Sequence, residues 1–123
     1  MSDVSGLPKN GNNTAPRLVE FIENKLNSLA KWDLIQYFYN NPTLMGPAPK
    51  IASLTGRDLR LVDHELREMA ASGLLDVQDQ SGVKVYRLSA DRDMLTMVEQ
   101  FLRACDNRQF REAAIYQTIM ARR

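Results

Sequence analysis

Apolar residues recur along this chain at spacings that change from helical to strand-like and back, and the changes divide it into elements. Leu18, Phe21, Ile22 and Leu26 repeat at helical spacing behind Pro16, a residue type favoured in a first helical turn, so a helix is expected from about there. Ser28 is a suitable N-cap for a second helix. In it Leu29, Trp32, Leu34, Ile35, Phe38 and Tyr39 leave little polar surface, which predicts a central position. Asn40-Asn41-Pro42 closes it, because proline disfavours the helical conformation in the residue before it.

A short candidate strand at residues 43–45 comes next. Gly46-Pro47 then opens a short helix with Ile51, Ala52 and Leu54 facing inward, and Gly56 ends it. Asp58 is placed to cap a longer helix reaching about Ser72. There Leu59, Val62, Leu66 and Met69 form one apolar stripe, while Arg60, Asp63, His64 and Arg67 lie on another face. Gly73 terminates it. The period then becomes strand-like: a strand from Leu74 to about Val77, a turn at Asp79-Gln80-Ser81-Gly82, and a return strand over residues 83–88. Two strands alone are marginal, so the hairpin must pack on helices, with residues 43–45 a candidate third strand.

Asp91 begins the C-terminal helical region. Leu95, Val98, Leu102 and Cys105 make an apolar stripe that Met94, Met97 and Phe101 widen. The pattern weakens at Asp106-Asn107 and resumes with Phe110, Ala113, Ala114, Ile115, Ile119 and Met120. It fits either one bent helix or two. This is more apolar surface than a small domain needs, and such surplus commonly marks an interface. Leu18, Phe21, Ile22, Leu95, Val98, Phe101 and Leu102 are therefore the candidate homodimer contacts. Residues 1–13, rich in Ser, Gly, Asn and Pro with Lys9 as the one basic residue, are expected to be a disordered arm. Residues 14–123 are expected to form a single domain, with a core at 28–90 and a dimerisation segment at 91–123.

Composition narrows the function. With 123 residues and 44% hydrophobic content, one core is expected. Lys+Arg is 16 and Asp+Glu is 15, so any nucleic-acid surface must be local rather than a property of the whole chain. One cysteine excludes an intrachain disulfide, and with a single histidine it leaves little for a zinc site; no metal and no cofactor is expected. No apolar run approaches a membrane span and no signal-peptide core is present, so a cytoplasmic protein is expected. No nucleophile stands with a base and an orienting acid, and no Gly-rich phosphate loop occurs, so an enzyme is not expected.

The order helix, helix, turn, helix, two-stranded wing resembles the winged helix-turn-helix domain, and most closely the small ArsR-like regulators. "IASLTG" looks like the second helix and its turn, "LVDHELREMAASGLL" like the recognition helix and its exit, and "GVKVYRLS" like the second wing strand. The resemblance implies a mainly α (α+β) fold, a winged helix-turn-helix with a two- to three-stranded β wing and flanking N- and C-terminal helices. It implies a homodimeric transcriptional regulator bound to double-stranded DNA. Residues 58–67 would enter the major groove, with Arg60, His64 and Arg67 as the reading face. Arg57 and Lys50 would meet phosphates, and Lys84 and Arg87 would serve from the wing.

The chain departs from that pattern in its charges. Many relatives carry Ser, Thr or Gln where this chain has Asp58 and Asp63. Residues 57–72 hold three arginines against the acids Asp58, Asp63, Glu65 and Glu68, and the wing sets Asp76 and Asp79 against Lys84 and Arg87. Phosphate neutralisation supplies most non-specific affinity for DNA. A winged-helix protein–protein interaction module that does not bind DNA is therefore the alternative reading.

Overall fold

The computed structural model describes residues 14–121, with side chains at 16–120, and the expected N-terminal arm lies outside the described residues. The elements are α1 (Thr14–Lys25), α2 (Leu29–Asn40), β1 (Met45–Gly46), α3 (Ala48–Thr55), α4 (Leu59–Ala71), β2 (Leu75–Gln80), β3 (Val83–Leu88), α5 (Arg92–Ala104) and α6 (Arg108–Ala121). They form an α+β winged-helix-like fold whose antiparallel sheet has the strand order β1-β3-β2.

The chain divides into two compact units. One runs from Ala30 to Met94; the other joins the segment ending at Leu29 to the segment beginning at Leu95. In the Ala30–Met94 unit, Leu34, Ile35 and Phe38 of α2 are buried, as are Val62, Leu66 and Met69 of α4. Leu59, expected in the same stripe, is 47% exposed. It stands in the first turn of α4, beyond the buried run. Asp58 caps α4 as expected, its carboxylate accepting from the Leu61 amide at 3.1 Å.

The hairpin is longer than its sequence pattern suggested. β2 runs on to Gln80, and only Ser81 and Gly82, with φ of 56° and 85°, make the turn. Two successive left-handed residues are what a tight two-residue hairpin requires, and the Gly82 amide is held by the Asp79 carboxylate at 2.9 Å. β1 pairs with β3 through Met45↔Arg87 and Gly46↔Tyr86, so the third strand starts two residues later and ends one residue later than the expected 43–45.

The C-terminal region is two helices, and the other unit takes it up from Leu95, within α5. Asp91 caps α5 through the Met94 amide at 2.8 Å. The chain then turns at Asp106-Asn107, and the Asn107 side chain accepts from the Phe110 amide at 2.8 Å, which starts α6. The local apolar gap at Asp106-Asn107 is thus a helix stop followed by a new cap. α1 packs on α6, and Phe21 meets Phe101 of α5 with ring centroids 6.4 Å apart.

Candidate nucleic-acid interface

The site is built on the sharp turn between α3 and α4. Gly56 takes φ 68°, ψ 30° there, the left-handed conformation that costs glycine nothing. That lets the Gly56 and Arg57 amides close back on Ser53 and Ala52 at 3.3 and 3.1 Å. The turn presents the outward face of α4. Arg60, His64 and Arg67 follow one another at one- and two-turn spacing on that face, and all three are exposed.

The acids that sequence counting set against these arginines are largely occupied. Glu65 is 2% exposed and points inward, in the same stripe as Val62, Leu66 and Met69. It meets Lys31 of α2, also 2% exposed, at 3.0 Å, and Lys31 reaches Glu68 at 2.5 Å. The His64 ring stands 3.1 Å from the other Glu68 oxygen. A buried carboxylate without a partner is expensive, so the ammonium is what allows Glu65 to sit there. Lys31 went unnoticed as a site residue. The available signal was that Lys31 and Glu65 each stand at an inward position of an apolar stripe, with opposite charges.

The cations are placed unevenly. Arg67 pairs with Asp63 at 3.1 Å, an exposed contact worth about 0.3–0.5 kcal/mol that phosphate can displace. Arg57 pairs with Asp33 of α2, another partner from outside the turn segment. Arg60 makes no ion pair among the described residues. Lys50 donates to the Met45 carbonyl at 3.2 Å. Lys84 and Arg87 are exposed on β3 but three residues apart, so the period of two places them on opposite faces of the wing. Lys84 lies on the face that buries Tyr86 and Leu75, and Arg87 on the other. Each stands directly opposite an acid, Asp79↔Lys84 and Asp76↔Arg87, which mutes both. Asp76 also accepts from the Ala90 amide at 3.2 Å.

Other polar features are secondary. The ligand atoms of His64, Glu65 and Glu68 lie within 4.8 Å of one another, a spacing suited to a cation. The Lys31 ammonium already contacts both carboxylates, so a metal ion would have to displace it. An open cleft of about 440 Å³ lies beside the Arg57–Asp33 pair, lined also by Gln36, Tyr37, Asn40 and Leu54. The Tyr86 hydroxyl is buried and finds no hydrogen-bond partner among the described residues. Burial raises its pKa, Arg67 lowers it by less, and Asp63 raises it slightly further.

The candidate dimer contacts are mostly interior to one chain. Leu18, Phe21, Ile22, Val98 and Phe101 are all buried, with α1 packed on α6 and Phe21 against Phe101 of α5. Leu95 and Leu102 are half-buried. Among the described residues of this unit, Tyr116, Ile119 and Met120 form an exposed apolar face of α6, at 66%, 52% and 43% exposure, and Leu29 is also exposed. Cys105 is half-buried, and burial pushes its thiol up to about 11, against a lowering by Arg111.

No family model matches the chain, and no curated protein matches it. A solved structure described as a possible transcriptional regulator from Methanosarcina mazei Go1 is similar, with 15% identity and a TM-score of 0.52. The match covers 76% of this chain and 82% of that one. At that identity the likeness is one of fold.

Proposed function

We propose that this protein is a DNA-binding transcriptional regulator that acts as a homodimer through its winged helix-turn-helix. The observation that carries the reading is the exposed row Arg60, His64 and Arg67 on α4, with the neighbouring Glu65 withdrawn inward onto Lys31. In this reading α4 enters the major groove, Arg60 and Arg67 meet base edges, and Arg57, Lys50 and Lys84 meet phosphates. Lys84 and Arg87 leave the wing on opposite faces and each stands opposite an acid, so the wing contributes less than α4. A homodimer would set two α4 helices about one turn of DNA apart. The exposed face of α6 gives a second copy its apolar contact.

The test is fluorescence anisotropy on mixed-sequence duplexes. Wild-type protein binds at low salt, and Arg60→Ala with Arg67→Ala lowers affinity at least tenfold, on the scale of about 1–3 kcal/mol per base-reading pair. Binding that survives the double substitution rejects this reading face.

A second reading has its own support. Leu54, Leu59 and Leu61 are 47%, 47% and 38% exposed near the same turn, and Arg57 and Arg67 are held by acids of the chain itself. A winged-helix module that binds a protein partner would use such a surface. It predicts no duplex binding at low salt.

A further inference from the structure

The first turn of α4 carries three exposed side chains in succession, Leu59, Arg60 and Leu61. Successive helical residues are about 100° apart, so the two leucines flank the arginine on either side. Asp58 fixes the start of the helix by accepting from the Leu61 amide, which sets the direction of all three. Leu59 and Leu61 are 47% and 38% exposed, although the stripe just beyond them, Val62, Leu66 and Met69, is fully buried. Arg60 is the arginine of this face without an acidic partner among the described residues, whereas Arg67 has Asp63. A fork-shaped cation between two apolar side chains therefore stands at the end of a recognition helix that meets base edges.

Base edges in the major groove offer a matching set of chemistries. Guanine presents N7 and O6 as a pair of acceptors suited to a guanidinium, and thymine presents the C5-methyl as the apolar contact. We infer that Leu59, Arg60 and Leu61 make up a base-reading unit that selects a guanine flanked by A·T pairs, with Arg60 on the guanine and the leucines on thymine methyl groups. The inference rests on the DNA-binding reading and specifies the class of sequence that reading recognises. Asp58 does not compete for the guanine position, since its carboxylate is engaged by the helix amide and stabilised at the positive end of the helix dipole.

The experiment enriches bound duplexes from a randomised pool at low salt, using the full chain, and then alters single atoms in an enriched duplex. Replacing thymine by deoxyuridine removes only the methyl group, and replacing guanine by 7-deazaguanine removes only N7. The expected results are a three- to fourfold loss per methyl, roughly the transfer value of one buried carbon, and about a tenfold loss for the deaza base. Leu59→Ala with Leu61→Ala should abolish the response to deoxyuridine while keeping the response to 7-deazaguanine. Arg60→Ala should do the reverse. These positions are exposed, and circular dichroism with a thermal melt shows that each variant folds before its binding is read. Salt-dependent binding of unselected duplexes with no guanine or thymine preference in the enriched pool overturns the base-reading unit and leaves the DNA reading standing. Equal affinity for thymine and deoxyuridine duplexes overturns the role of the leucines. No retention of any duplex, with protein at tens of micromolar, overturns both and transfers the exposed leucines to a protein partner.

Discussion

Lys31 and Glu65 stand where the helical period asks for apolar side chains, and they meet at 3.0 Å with almost no exposure. Removing one partner strands the other charge. Lys31→Met is therefore expected to cost about 3–5 kcal/mol in a urea melt. Lys31→Met with Glu65→Leu should recover most of that loss, because a dry apolar contact replaces the buried pair and Glu68, which Lys31 also reaches, is exposed enough for water to solvate it. A mild effect of the single substitution would show that water reaches Glu65. Tyr86 poses the opposite case. Its hydroxyl is buried with no partner among the described residues, so Tyr86→Phe should raise stability by about 1 kcal/mol, and a clear loss would reveal a hydrogen bond. Cys105 and Tyr86 both have raised pKa values in the folded state, chiefly from burial. Both are neutral when protonated, so the folded form holds these protons more tightly than the unfolded form. The Cys105 contribution to stability is full below the ordinary thiol range and is lost as pH rises towards about 11, and the Tyr86 contribution is lost as pH rises above the ordinary phenol range. At pH 8 a thiolate reagent should label Cys105 slowly in the native protein and at the ordinary rate in denaturant. Equal rates would contradict a protected thiol.

Among the elements, the helices were the most legible in the sequence. The Asp58 and Asp91 caps and the Gly56 stop have local physical causes, and each is found where the residue pattern put it. The hairpin turn was read too wide, because Asp79 and Gln80 are turn-forming by composition yet remain in the ladder opposite Lys84 and Val83. What tightens the turn is the left-handed Ser81, a conformation that serine adopts less readily than asparagine. Ser81→Asn is accordingly expected to stabilise the hairpin by roughly 0.5–1 kcal/mol, read as a rise in the thermal midpoint. A fall would mean that the Ser81 hydroxyl has a role the asparagine cannot take. The candidate site was less legible than the helices. Its outward row follows from the period of α4 alone. The pairs that set its charge balance, Lys31–Glu65, which takes an acid away from the row, and Asp33–Arg57, which engages a flanking arginine, join residues from helices far apart in sequence, and no local window contains them. Five of the seven dimer candidates, Leu18, Phe21, Ile22, Val98 and Phe101, are buried within the one chain, and a helix stripe looks the same in sequence whether another helix of its own chain or a second chain covers it.

For the whole molecule, a formal net charge of +1 means that any DNA affinity must come from a few placed cations. Dimerisation would double those cations on one duplex. Light scattering at high concentration is expected to give twice the chain mass, and Tyr116→Ser with Ile119→Ser should return the protein to a monomer. A dimer that survives those changes would place the interface elsewhere. The DNA reading itself is tested most directly by the salt dependence of duplex binding, measured by anisotropy between about 50 and 200 mM salt. Two to three phosphate contacts per protomer in a dimer correspond to a slope of about −3.6 to −5.4 in log K against log salt. A slope in that range is the expected result; no anisotropy change at the lowest salt, with protein at tens of micromolar, would contradict DNA binding and leave the winged helix as a protein-binding module.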